Sequence, residues 1–285
     1  MRSVSINALA PLTRSDLVDK TLVAIGWDVG GWLGKHQATA AARLATGSRT
    51  VEWLGISQPF PFEKGSVPGF TALAVPAVGA DAVGALLSAD RIVVAMDGPL
   101  AFPRAFRHIV SGNVEHYPVP EQEIENPLAY RDCERWVANE FGKKPLSAPF
   151  DKLGNNATLA ISVASQMARE RFKIVPQHGS HADRAVIEVY PAVVKTGPTK
   201  KDRAVSKLAR HLPEGMNPGT DHYDAAICAV LGLVYHGAGD TLGLPDLVPF
   251  PPDGNPDEGW IFTFPGDFIQ DQLCAIAHDV VIPRG

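Results

Sequence analysis

Three apolar stretches, each with one acidic residue near its C-terminal end, constrain the fold of this chain more than any other feature of the sequence. The acids are Asp28 in residues 21–35, Asp97 in residues 91–100 and Glu188 in residues 185–191. Continuous apolar runs of this length predict strands that are buried on both faces of a sheet. Glycine or proline follows each acid within three residues, as expected where a strand ends in a turn.

These acids are expected to meet at one edge of the sheet. Ligands of open α/β sheets bind at the carboxyl ends of the strands, and neighbouring strands lie about 4.8 Å apart. A buried carboxylate without a partner is costly unless it takes up a proton, whereas a divalent cation would stabilise it. Each acid taken singly is also compatible with an ordinary turn, but three at equivalent strand positions favour a site.

Composition and charge limit the classes of protein to be considered. The chain has 285 residues, of which 45% are hydrophobic and 20% are charged. These values are typical of one large folded domain, or of a domain with a sizeable insertion, and not of a disordered chain. The formal net charge of −5 argues against a strongly basic nucleic-acid-binding protein, so any nucleic acid would have to meet a local positive patch.

Cysteine usage and hydropathy predict a cytoplasmic protein. Cys133, Cys228 and Cys274 are odd in number and widely spaced, which indicates reduced thiols and not disulfides or a zinc site. The N-terminus lacks the apolar segment of a signal peptide. The longest apolar run, residues 225–234, is too short to cross a bilayer, so we expect no association with membranes.

The order of the predicted elements suggests one α/β domain over residues 21–285, after an N-terminal lead-in of residues 1–20. Residues 101–183 are punctuated by prolines and are expected to form a helical insertion in this domain. Besides the three acid-bearing strands, the predicted elements are strands at 37–45 and 49–55 and helices at 78–87, 127–141, 156–172 and 220–237.

A fourth acid, Asp224, lies in the first turn of the last predicted helix, which is apolar on nearly all sides and therefore expected to be buried. Asp221 is interpreted as a helix cap, because acids suit a helix N-terminus. Asp224 begins the buried face, so it either caps the helix as well or joins the other acids. Hard divalent cations prefer oxygen ligands, and the candidate catalytic and metal-binding residues are Asp28, Asp97, Glu188 and Asp224.

Basic residues that follow the acid-bearing strands are candidates for binding phosphate groups. Arg104 and Arg107 come shortly after Asp97, and residues 195–210 hold six lysines and arginines against one aspartate. Both groups are also compatible with solvated surface positions. The candidate substrate-binding residues are Arg104, Arg107, Arg131, Lys200 and Lys201.

Six short motifs in fixed order resemble the DUF429 family of predicted ribonuclease H-like nucleases. They are WDVGG (27–31), VAMDGPLAFPR (94–104), YRDCE (130–134), IEVYPA (187–192), HYDAAICA (222–229) and EGWI (258–261). The resemblance implies a mixed five-stranded sheet in the order 3-2-1-4-5 with helices on both faces, in which the acids bind metal for hydrolysis of nucleic acid. Arg131 and Glu134 match the family's R-x-C-[DE] motif.

The leading hypothesis is a Mg²⁺- or Mn²⁺-dependent nuclease that hydrolyses phosphodiester bonds of RNA or DNA. Asp28 and Asp97 would bridge the metal ions, while Glu188 and Asp224 would complete the ligand shell or orient water. One alternative is an ATP-dependent phosphotransferase of the actin-like group, in which an Asp-x-Gly motif also follows the first strand. Another is a non-catalytic module that binds nucleic acid or protein.

Overall fold

The computed structural model describes residues 21–45, 47–113, 116–150, 153–179, 182–252 and 254–279. The predicted lead-in of residues 1–20 lies outside the described residues. The described part is an α/β structure with helices on both faces of a mixed sheet.

The sheet has eight strands within the described residues. Its order is β3-β2-β1-β4-β6-β8-β7, and β5 also pairs with β6. Strands β1, β4, β6 and β8 are parallel to one another, whereas β2, β3 and β7 are each antiparallel to a neighbour. The strands are β1 Leu22–Asp28, β2 Ala38–Leu44, β3 Glu52–Ile56, β4 Arg91–Asp97, β5 Lys173–Ile174, β6 Arg184–Val189, β7 Val248–Phe250 and β8 Ile261–Thr263.

The prediction of five strands was therefore wrong. The three additional strands are β5, β7 and β8, and each is only two or three residues long. Runs this short carry no readable alternation of apolar and polar residues, so sequence alone could not assign them to the sheet. The aromatic segment that follows Trp260 forms β8 and pairs with β6.

The helices include two that were predicted inside the insertion, with shifted ends. The predicted helix 127–141 begins only at Asp132. The predicted helix 156–172 begins and ends three residues earlier, at Leu153 and Arg169. The predicted helix 78–87 corresponds to a 3₁₀ helix, Ala80–Ala82, followed by an α-helix, Val83–Leu87. Gly79 separates them from the helix Phe70–Val78, which was not predicted. The α-helices are α1 Phe70–Val78, α2 Val83–Leu87, α3 Arg104–Val110, α4 Asp132–Phe141, α5 Leu153–Arg169, α6 Ser206–Ala209, α7 Asp221–Leu233, α8 Gly239–Leu242 and α9 Gly266–Asp279.

Helix α7 forms the centre of one face of the sheet. It packs on β1, β2 and β4, and every residue from Tyr223 to Leu233 is buried. Helices α1, α2 and α5 cover the opposite face. By length and composition, the helical stretch Asp221–Leu242 is long and apolar enough to span a bilayer, and 78% of its most apolar window is buried inside the protein.

Gly26 allows α7 to contact the backbone of β1 directly. A Cβ atom at residue 26 would lie 1.9 Å from the carbonyl oxygen of Ala225 and 2.3 Å from the amide nitrogen of Ala229. No side chain fits these distances, so the helix would have to move away from the strand. Because Asp28 and Asp224 follow and precede this contact by only one or two residues, the same glycine sets their separation.

We expect Gly26→Ala to lower the free energy of unfolding by about 2–4 kcal/mol, because overpacking against a rigid backbone cannot be relieved by a rotamer change. Chemical denaturation monitored by circular dichroism would measure this. Gly84→Ala in α2 is the matched control, since a Cβ there meets no atom within 4 Å and alanine favours a helix. Equal stability of the two variants would contradict the close contact.

Candidate active site

Asp28 and Asp97 lie side by side at the ends of two neighbouring parallel strands. They are register partners in the pairing of β1 with β4. Side chains alternate between the faces of a strand, and Asp28 and Asp97 share the face that carries Ala24, Ala95 and helix α7. The prediction that these two acids meet at one edge of the sheet is confirmed.

Neither carboxylate has a hydrogen-bond donor among the described residues, although both face a largely desolvated environment. Burial raises the pKa of Asp28 well above its usual range, and the charges of Asp97 and Asp224 raise it further. Burial also raises the pKa of Asp97 to about 7, with the charge of Asp224 as the next cause. Two adjacent carboxylates that lack donors favour either a shared proton or a bound cation.

The first turn of α7 brings Asp221 and Asp224 to the same edge. Thr220 caps this helix, because its hydroxyl accepts a hydrogen bond from the amide of Tyr223 at 3.3 Å. The prediction that Asp221 caps the helix is therefore wrong. Asp221 instead forms an ion pair with Lys200, while Asp224 is buried on the sheet side of the helix.

Two lysines of one hairpin point into this group of acids. Lys195 and Ala204 are bridge partners at the base of the hairpin, and Lys200 is near its tip. The ammonium of Lys195 lies 2.5 Å from Oδ1 of Asp224, and that of Lys200 lies 3.9 Å from Oδ2 of Asp28. Sequence analysis placed Lys195 in a basic stretch but missed its role here, because only tertiary pairing reveals it.

Glu188 lines the same cleft as Asp28 and Asp97, but it does not stand in register with them. Its register partner in β4 is Met96, one residue before Asp97, so its side chain leaves the opposite face of the sheet. Both of its oxygens accept from Arg131, at 2.6 and 2.8 Å, and Oε2 also accepts from the amide of Leu100 at 2.9 Å. The prediction of Glu188 as a metal ligand is corrected accordingly, since its oxygens already have partners.

Arg131 lines the cleft, but its side chain is engaged in contacts with other parts of the protein. Its side chain is buried, and its guanidinium bonds Glu188, Glu134 and the carbonyl oxygen of Glu258. The carboxylate of Glu258 in turn accepts from the amides of Arg104 and Asp132, at 2.5 and 3.0 Å. The R-x-C-[DE] motif therefore ties α4 to the end of β6 and to the turn after Asp97.

The remaining predicted substrate-binding residues lie at different places. Arg104 and Arg107 of α3 line an open pocket with Ser111, Asn255 and Asp257, which is separate from the cleft that contains the acids. Lys201 is exposed on the hairpin tip, beside Lys200. Lys200 is thus the predicted basic residue that the structure brings to Asp28.

The acids open into a cleft of about 180 Å³. Its charged lining residues are Asp28, Asp97, Arg131, Glu134 and Glu188, and its other lining residues include Leu146, Asn156 and Tyr190. Leu146 is 55% exposed and forms an apolar part of the mouth. The cleft therefore combines a charged floor with a partly apolar entrance.

Gln37 fixes the loop that follows Asp28, and sequence analysis did not identify it. Its buried amide oxygen accepts from Trp27 Nε1 and from the amide of Gly30, both at 2.9 Å, and its Nε2 donates to the carbonyl oxygen of Gly31 at 2.6 Å. From the other side, Asn156 Nδ2 donates to the carbonyl oxygen of Val29 at 2.6 Å. The loop is therefore held between β2 and α5.

The donor set suits a hard divalent cation bound by few protein ligands. Among the described residues, no group of three or more His, Cys, Asp or Glu side chains is gathered closely enough to hold a metal ion. Mg²⁺ commonly takes one or two carboxylates and completes its coordination with water and substrate phosphate. The Asp28–Asp97 pair, to which no described residue donates a hydrogen bond, fits this two-carboxylate requirement.

Comparisons with protein-family models, with curated proteins and with solved structures found no match to this chain.

Asp97→Asn is expected to stabilise the protein at pH 8. The folded state holds a proton on Asp97 up to about pH 7, whereas the unfolded state loses it near the ordinary value of 3.8, so this group makes stability fall as pH rises between those values. The neutral amide removes that penalty. We expect a gain of about 1–3 kcal/mol at pH 8 and little gain at pH 4, measured by urea denaturation at both pH values.

Asp81→Asn is the control, because Asp81 is exposed on a short 3₁₀ helix. A gain for Asp97→Asn that is equal at pH 4 and pH 8 would contradict a raised pKa for this carboxyl.

Proposed function

We propose that this chain is a divalent-cation-dependent nuclease with a ribonuclease H-like arrangement of its sheet. The observation that carries the proposal is the pair of adjacent, desolvated carboxylates, Asp28 and Asp97, for which the described residues provide no hydrogen-bond donor. A structural role would favour neutral or paired side chains at this place. A site that recruits a cation requires the opposite.

The sheet supports the same proposal. Its order over β3-β2-β1-β4-β6 corresponds to the expected order 3-2-1-4-5 once the two-residue strand β5 is set aside. The acid-bearing strands β1 and β4 are adjacent and parallel, and α7 packs across them. The motifs that resemble the DUF429 family contribute both central acids.

Each side chain then has a defined task. Asp28 and Asp97 would hold a Mg²⁺ or Mn²⁺ ion, which when bound polarises a phosphoryl oxygen and lowers the pKa of bound water. Lys200 has a half-exposed side chain 3.9 Å from Asp28, where its ammonium can meet a substrate phosphate. The fixed loop that Gln37 holds after Asp28 keeps this carboxylate in place.

The substrate class follows from the size and charge of the cleft. A volume of about 180 Å³ is smaller than the ~300–1,000 Å³ of common small-molecule pockets. It suits one phosphodiester group with its neighbouring atoms, while the rest of a polynucleotide lies on the surface outside. Lys201 and the arginines of α3 provide positive charge there without making the whole chain basic.

We expect Asp28→Asn and Asp97→Asn each to reduce phosphodiester cleavage by at least about 100-fold, because each removes half of the charge that holds the cation. Cleavage of single-stranded and duplex RNA and DNA would be measured with Mg²⁺, with Mn²⁺ and with EDTA. Asp81→Asn should retain full activity.

Undiminished cleavage by either site variant, or cleavage that persists in EDTA, would refute the proposal. Hydrolysis of ATP without cleavage of any polynucleotide would instead favour the phosphotransferase alternative.

A further inference from the structure

We infer that Lys195 is a resident cation of the acid site, and that the site consequently binds one divalent ion and not two. The inference rests on the proposed function, because it concerns which carboxylates of the same site pair with a lysine and which bind a metal ion. It assigns Asp224 to Lys195 and leaves Asp28 and Asp97 to the metal.

The position of Lys195 is fixed on all sides. The residue is only 3% exposed, and its ammonium contacts Oδ1 of Asp224 at 2.5 Å and the carbonyl oxygen of Lys200 at 3.3 Å. The ring of Tyr223 lies 6.0 Å from the same ammonium. On the main chain, the carbonyl oxygen of Lys195 accepts from Lys143 at 3.1 Å. The ammonium therefore cannot turn away into solvent to admit a metal ion.

Lys200 differs from Lys195 in this respect. Its side chain is 52% exposed, and it reaches Asp221 and Asp28 from the surface. A lysine in this situation moves away at little cost when a cation or a phosphate group arrives. Only Lys195 acts as a permanent positive charge.

The charge of the cluster agrees with a single metal ion. Apart from the hydrogen-bonded cluster of Arg131, Glu134 and Glu188, the site holds four aspartates and two lysines. Lys195 pairs with Asp224, and Lys200 can release Asp28 while it keeps its ion pair with Asp221. When all six groups are ionised, the two negative charges that remain are those of Asp28 and Asp97. One divalent cation balances them. A second divalent ion would need Asp224 as a ligand and would lie next to a buried ammonium, where like charges repel strongly.

In this arrangement Lys195 is a positioning residue. It holds Asp224 on the sheet side of α7 and places a fixed positive charge beside the pair that binds the metal. Two-metal sites instead use a shared carboxylate environment for ions about 4 Å apart. The distinction predicts a different number of bound ions, which can be counted without measuring activity.

Isothermal titration of the full chain with Mn²⁺ tests the inference. We expect one ion per wild-type chain and no binding by Asp28→Asn. Asp224→Asn should bind one ion with an affinity within about threefold of wild type, because Asp224 is not a ligand. Lys195→Met frees Asp224 and should bind two ions, whereas the matched control Lys201→Met, which changes an exposed lysine of the same hairpin, should bind one.

The outcomes separate this inference from the function on which it rests. Two ions in the wild-type chain, or one ion in a folded Lys195→Met variant, would overturn the role of Lys195 while leaving metal binding intact. Absence of any binding to the wild-type chain would overturn the proposed function itself. If Lys195→Met does not fold, Asp224→Asn decides: a tenfold or larger loss of Mn²⁺ affinity makes Asp224 a ligand and overturns the inference.

Discussion

The contact between the backbone of β1 at Gly26 and the backbone of α7 is the constraint on which the site depends. Helices usually lie on a sheet at a distance set by side chains, whereas here the strand offers no Cβ at the point of contact. Gly232 allows a second close contact further along α7, where the helix packs against Val93 and Ala24. The short separation lets Asp224 approach the strand-end carboxylates and surrounds them with apolar atoms.

Two groups of acidic residues that line the same cleft differ in their hydrogen bonds. On the insertion side, the buried guanidinium of Arg131 satisfies Glu134 and Glu188 through paired hydrogen bonds. On the α7 side, Asp28 and Asp97 have no such donor. Buried charges need partners, so the same fold contains one cluster whose carboxylates are hydrogen-bonded to a guanidinium and one pair of carboxylates that is open to a ligand.

The sequence was sufficient for the central strands and for the pairing of Asp28 with Asp97. Long apolar runs signal buried strands, and strand-end acids at equivalent positions favour a site, although each acid alone is compatible with a turn. The face on which Glu188 lies could not be predicted, because a register offset of one residue reverses the direction of a side chain and leaves no trace in the sequence.

Other parts of the site depend on contacts between residues far apart in the chain. Lys195 meets Asp224 only because a hairpin folds over the start of α7, and Arg131 meets Glu188 across 57 positions. The role of Gln37 could not be predicted either, because a single glutamine forms no sequence pattern that would indicate its contacts. The short strands β5, β7 and β8 add pairings that local propensity does not encode.

The hydrogen bonds made by Glu258 have a consequence for the order in which the protein can be completed. This residue lies more than 120 positions after Arg104 and Asp132 in the chain, yet its carboxylate secures the amides of both, and β8, just beyond it, joins the sheet beside β6. During synthesis, the segments that contain Arg104 and Asp132 leave the ribosome before Glu258 does. They therefore lack these hydrogen bonds until the later region has been made. The anchoring of these two segments is therefore completed by contacts of high sequence separation.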